Sequence, residues 1–105
     1  METIYIDYGL YTRFTVDLSE VDFNGVEKLI LTAKRYVNGG KELYTVFVRE
    51  YITADTYVEV VTPKESELFD GTILYDFIAV MSNGEVYKAS EVGKMILRKG
   101  VGKIG

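Results

Sequence analysis

Residues 61–80 read VTPKESELFDGTILYDFIAV, and the way this stretch divides decides the fold. Thr62, Pro63 and Glu65 form a helix start. A threonine at the N-cap accepts from the backbone at the third helical position, and a glutamate there reaches back to the threonine amide. Proline suits the first helical position, where its missing N–H has no partner to lose. Leu68 and Phe69 follow as apolar anchors. Asp70-Gly71 then ends the turn, because glycine accepts the left-handed conformation. From Thr72 to Met81 the chain runs through its longest apolar stretch. The segment therefore predicts one helical turn, near residues 63–68, set between two strands.

Outward from this turn the chain alternates with the period of strands. Thr3–Asp7 is a short alternating segment, and Tyr11–Asp17 places Thr12, Phe14 and Val16 on one face. Asp22-Phe23-Asn24-Gly25 is a turn signal. Val26–Lys34 carries apolar residues on both faces, which predicts a central strand. A helical stripe through Val26, Leu29, Ile30 and Ala33 is the competing reading. Asn38-Gly39-Gly40, a hairpin-type turn immediately afterwards, favours the strand. Leu43–Tyr51 and Thr56–Val61 are rich in β-branched and aromatic residues. Ser82-Asn83-Gly84 turns the chain into Glu85–Ala89, and Met95–Lys99 closes it. Seven or eight short strands with a turn about every ten residues predict an all-β sandwich or barrel.

One helical turn between strands carries a chain from one sheet of a sandwich to the other. In immunoglobulin-type sandwiches such a corner precedes a strand with a tyrosine near its start. Tyr75 holds the comparable place here, and Phe77 stands two residues on, where a disulfide-bonded domain has its second cysteine. The chain has no cysteine, so the bridge is excluded while the architecture is not. The fold expected is an immunoglobulin-like antiparallel β-sandwich of about seven strands. One domain spans residues 2–99, and residues 100–105 form a flexible Gly/Lys tail.

The order of these segments resembles a family. "YTRFTVDL", a turn, "VEKLILTAK", two middle strands and then "TPKESELFDGTILYDFIAVMSNGEVYKASEVGKMILRKGV" are similar to the immunoglobulin-like modules of tailed-phage structural proteins. The nearest resemblance is to the N-terminal module of lactococcal-type baseplate upper proteins. The matching features are the capped turn leading to Gly71, the aromatic strand with Tyr75-Asp76, the hairpin at Asn83-Gly84 and the closing strand Met95–Lys99. The resemblance implies a non-enzymatic module that assembles with other phage structural proteins in a tail, baseplate or fibre. It implies a virion or a host bacterial cytoplasm as the location. A carbohydrate- or cell-surface-binding sandwich is the alternative.

Composition points the same way. The chain of 105 residues suits one domain, and 48% hydrophobic residues is too many for a disordered segment. Charges interrupt the apolar runs, so no membrane-spanning helix is expected. A net charge of −4 opposes a phosphate backbone, so no nucleic-acid partner is expected. With no histidine and no cysteine, the commonest general base and the thiolate ligands are missing. No catalytic, cofactor-binding or metal residues are assigned, and no cofactor is expected. Glu65, Glu67, Asp70 and Asp76 are carboxylates close in sequence. Glu65 reads as a cap, and Asp76 as a hydrogen-bonding carboxylate on the less buried face of its strand. Ser66, Ser82 and Ser90 have no histidine to activate them. The opening Met-Glu-Thr-Ile-Tyr-Ile-Asp lacks the basic and apolar regions of a signal peptide. Tyr36, Tyr44, Tyr51, Tyr57 and Tyr87 are the side chains of most interest. They serve either cross-strand pairing within the sheet or an assembly interface, including a homo-oligomer.

Overall fold

The computed structural model describes residues 2–37, 40, 42–69 and 72–99. Among these are eight strands and one helical turn: β1 (Ile4–Asp7), β2 (Thr12–Asp17), β3 (Val26–Val37), β4 (Glu42–Tyr51), β5 (Thr56–Val61), α1 (Pro63–Ser66), β6 (Thr72–Met81), β7 (Val86–Lys88) and β8 (Gly93–Arg98). The all-β expectation holds, and Val26–Val37 is a strand rather than a helix. Both predicted reciprocal bonds of the capping box are present. Glu65 N donates to Thr62 Oγ1 and Thr62 N to Glu65 Oε1, each at 3.1 Å. Of the two expected anchors only Phe69 is buried. Leu68 faces solvent, because the short helix has a single turn to present to the core. The expected stop at Asp70-Gly71 lies outside the described residues, as do most of the Asn38-Gly39-Gly40 turn and the 100–105 tail. Gly25 and Gly84 adopt the positive φ that their Asn-Gly turns require.

The larger sheet has the order β1-β8-β6-β3-β4, with β7 pairing the far half of β6. The smaller sheet is β2-β5 alone. β3, β6 and β8 lie adjacent, as C, F and G do in an immunoglobulin domain. β4 extends them as C′ does in the variable type, and β2 pairs β5 as B pairs E. The α1 turn makes the crossing from the smaller sheet to the larger that its position in the sequence predicts. The expected antiparallel sandwich needs one correction: β1 pairs β8 in parallel, Ile4 opposite Met95 through Asp7 opposite Arg98. The first and last strands of the chain thus lie side by side and run the same way.

Between the sheets lies one apolar core. β3 supplies Leu29, Leu31 and Ala33; β6 supplies Ile73, Tyr75 and Ala79; β4 supplies Phe47 and Tyr51. Ile6, Val16, Val61, Phe69 and Met95 close it. Each aliphatic or aromatic side chain buried in this way contributes about 1.5–3 kcal/mol. Among the described residues the buried polar ones are Thr12 and Ser66, and both are used. Asp7 N donates to Thr12 Oγ1 at 2.8 Å, and Gly9 N to Ser66 Oγ at 2.9 Å. Ser66 in turn donates to Pro63 O. The helical turn thus holds the β1–β2 connection as well as linking the sheets. Ser90 has a similar role. Its hydroxyl takes Phe77 N at 2.9 Å, where β6 passes from pairing β8 to pairing β7.

Tyr75 is closely fitted. It is 4% exposed, and its register partner across the sheet is Gly93. A Cβ at Gly93 would stand 2.5 Å from Tyr75 Cζ, so the ring occupies the space a side chain would need. The hydroxyl reaches past Gly93 and donates to the Glu2 carbonyl. This bond ties the start of the chain to the middle of the larger sheet. Gly93→Ala is therefore expected to destabilise the domain by about 1–3 kcal/mol, since the ring and its hydrogen bond must shift. The loss should shrink in a Tyr75→Leu background, and a double-mutant cycle by urea denaturation measures that coupling.

Candidate functional site

Strand alternation sends one set of side chains into the core and the other onto the outer face of the larger sheet. The registers arrange that outer set in rows. One row runs Lys94, Leu74, Lys34, Thr45 across β8, β6, β3 and β4. The next runs Asp76, Thr32, Val48, and the next Lys88, Ile78, Ile30, Glu50. Val86, Val80 and Lys28 follow, and Tyr36 faces Leu43 at the opposite end. Apolar Leu74, Ile78, Val80 and Ile30 share the middle of the face with Asp76, Thr32 and Lys34, and further charges, Lys94, Lys88, Glu50 and Lys28, stand at the row ends. Tyr36 is 57% exposed, Leu43 52% and Val48 45%. A shallow concavity of about 220 Å³ lies among Tyr36, Leu43, Leu74, Asp76, Ile78 and Val92. Exposed Tyr36, Leu43 and Val48 beside half-buried Leu74 and Ile78 make this a mixed apolar and polar surface of the kind that interfaces use.

The five tyrosines divide. Tyr36, Tyr44 and Tyr87 are exposed, whereas Tyr51 is buried and Tyr57 half-buried. Tyr51 and Tyr57 pack against each other across the two sheets, ring centroids 4.7 Å apart. These two serve the core. Tyr44 lies under the Arg35 guanidinium, 5.0 Å from it, and Tyr87 donates to Glu85. Tyr36 alone of the five stands on the outer face beside the concavity.

The neighbouring carboxylates are not gathered into a site. Asp76 lies on the outer face as expected, but no hydrogen bond to its carboxylate is found among the described residues. Its register neighbours, Thr32 on β3 among them, do not reach it. Glu67 is exposed, and Asp70 lies outside the described residues. Glu65 has a second partner that its sequence position does not reveal. Arg49 of β4 contacts Glu65 Oε2 at 3.3 Å and Glu59 Oε1 of β5 at 3.2 Å. The guanidinium covers the Phe47 ring at 3.9 Å. Tyr51 donates to the other Glu59 oxygen at 2.5 Å. Burial, and then Glu59, pushes the Tyr51 hydroxyl far above its ordinary range, so it remains a donor. One arginine therefore joins both sheets and the helical turn, with its carboxylate partners occupied as structural ligands.

No family model matches the chain, and no curated protein sequence matches it. Among solved structures it is similar to murine CRIg, with a TM-score of 0.54 and 9% sequence identity over 94% of each chain. That likeness, together with the order of the strands, makes the domain an immunoglobulin-like β-sandwich.

The Arg49 cluster sets a pH dependence. Partial burial raises the Glu65 carboxyl, but the Thr62 amide and Arg49 more than offset this and hold it below its ordinary 4.5. A depressed carboxylate stabilises the folded state above the unfolded-state value and loses that effect as pH falls through the folded value. Glu65→Gln should therefore lower stability near neutral pH and flatten the fall in urea midpoint between roughly pH 5 and pH 3. An equally steep fall in the variant would show that the charge on Glu65 is not responsible.

Proposed function

We propose that this chain is a non-enzymatic immunoglobulin-like binding module. It docks neighbouring subunits through the outer face of its larger sheet, as a structural part of a phage or prophage tail, baseplate or fibre. The observation that carries the docking surface is exposed Tyr36, Leu43 and Val48 on that face, beside half-buried Leu74, Ile78 and Val80 and the charged Lys34 and Asp76. An aromatic anchor beside a shallow pocket, ringed by charges, is the arrangement that concentrates binding energy in protein interfaces. The phage setting is supported by the resemblance of the segment from "TPKESELFDG" to "MILRKGV", and the likeness to murine CRIg supports the fold alone.

Sedimentation at several concentrations, with co-purification of the products of adjacent genes, tests this reading. Saturable self-association or capture of a neighbouring structural protein is expected. Tyr36→Ala should weaken either by about tenfold or more, roughly 1.4 kcal/mol, without unfolding the domain. A strict monomer that captures none of those neighbours, yet binds a cell-wall polysaccharide through the same tyrosine, would replace assembly with carbohydrate binding.

A further inference from the structure

The smaller sheet has an unfilled side. In β2 the ladder to β5 alternates, and Leu18 N donates to Asp55 O at 2.8 Å just beyond it. Counting back in steps of two, Val16, Phe14 and Thr12 face β5 with their backbone groups. The N–H and C=O of Arg13, Thr15 and Asp17 point the other way. Among the described residues no strand pairs on that side. An unpaired row of this kind is a template for a further strand.

Beside this edge lies a cavity of about 480 Å³ between the sheets. Its floor is apolar: Leu29 and Leu31 of β3, Phe77 of β6 and Ile4 of β1. Phe14 and Val16, which point inward from β2, line it, and so do Thr15 and Asp17, which point outward. A cavity touched by both faces of one strand wraps around that strand's edge. No residue of β5 contributes and the start of β1 does, so it opens on the unpaired side. The lining holds two carboxylates, Glu2 and Asp17, and no cation. Hydrogen bonds from the Ser19 side chain and backbone, and then from Thr56, hold Asp17 below its ordinary range, so it stays charged.

We propose that this slot accepts an extended segment of another protein, added as a strand to the edge of β2. Alternate apolar side chains of the segment enter the cavity, and a basic residue lies beside Glu2 and Asp17. Two features select this occupant. Only an extended backbone satisfies the spaced donors and acceptors of Arg13, Thr15 and Asp17, which an apolar small molecule leaves bare. A second copy's β2 could bond to the edge but could not fill the cavity, because Val16 and its neighbours are already spent on its own core. This inference concerns a different surface from the outer face of the larger sheet and does not depend on it.

The test uses the whole chain and a capped peptide of alternating valine and threonine with one lysine at each end, so that either direction places a lysine near Glu2 and Asp17. Saturable binding is expected. With free peptide about ten times Kd, amide hydrogen exchange at Arg13, Thr15 and Asp17 should slow roughly tenfold. Thr15→Pro removes one edge N–H at a position that does not bond β5, and should abolish binding. Should that variant not fold, Asp17→Asn, which keeps the edge backbone, carries the test and should bind more weakly with a smaller salt dependence. No saturable binding at millimolar peptide, binding that leaves the three amides unprotected, or decanoate filling the cavity while the peptide does not, would overturn the proposal.

Discussion

The pairing of β1 with β8, supported where the Tyr75 hydroxyl reaches over Gly93 to the Glu2 carbonyl, is the constraint on which the rest of this domain depends. The link from β1 to β2, residues 8–11, is short enough for the two strands to form a hairpin in the smaller sheet. Instead the start of the chain is held against the larger sheet, and β1 lies parallel to β8. That single choice of sheet has two consequences. The larger sheet becomes broad, and its outer face extends from Tyr5 to Val48. Among the described residues the smaller sheet is left with two strands, and nothing pairs with the free edge of β2. A two-stranded sheet is marginal by itself, so β2 and β5 are held by the core beneath them and by the polar links at their ends.

Those links are economical in residues. Ser66 takes the Gly9 amide, Thr12 takes the Asp7 amide, and Arg49 joins β4 to β5 and to α1. A half-buried arginine between two carboxylates, backed by an aromatic ring, satisfies its charge without leaving one unpaired in the interior. The polar groups of these links are committed to structure, so the surfaces proposed for binding are the outer face of the larger sheet and the edge of β2. Both suit recognition by shape and by backbone pairing.

Much of this was legible in the sequence. Thr62, Pro63 and Glu65 specify the capped turn because capping is local, and that turn places the crossing between sheets. The alternation of Leu29, Leu31 and Ala33 identifies the core face of β3, and Ile30 on its other face was the signal that read it as central. The parallel pairing of β1 was not legible, because it joins residues 4–7 to residues 95–98 across the length of the chain, and strand alternation says nothing about which edge a strand joins. The second role of Glu65 was hidden for the same reason: Arg49 lies sixteen positions away and meets it only after folding. Ser66 carried no signal beyond its small size and polarity. The sorting of the tyrosines followed partly from alternation. That Tyr57 turns to meet Tyr51 while Tyr36 faces solvent depends on where the smaller sheet ends.

The placement of β1 is the central claim, and amide hydrogen exchange of the isolated domain reads it most directly. Tyr8 N donates to Arg98 O at 2.9 Å, so by the alternation of the ladder Ile6 also faces β8. The account predicts slow exchange at Ile6 and Tyr8 and fast exchange at Arg13, Thr15 and Asp17. The reverse pattern, with those three β2 amides protected and Ile6 exchanging freely, would put β1 in the smaller sheet and contradict it.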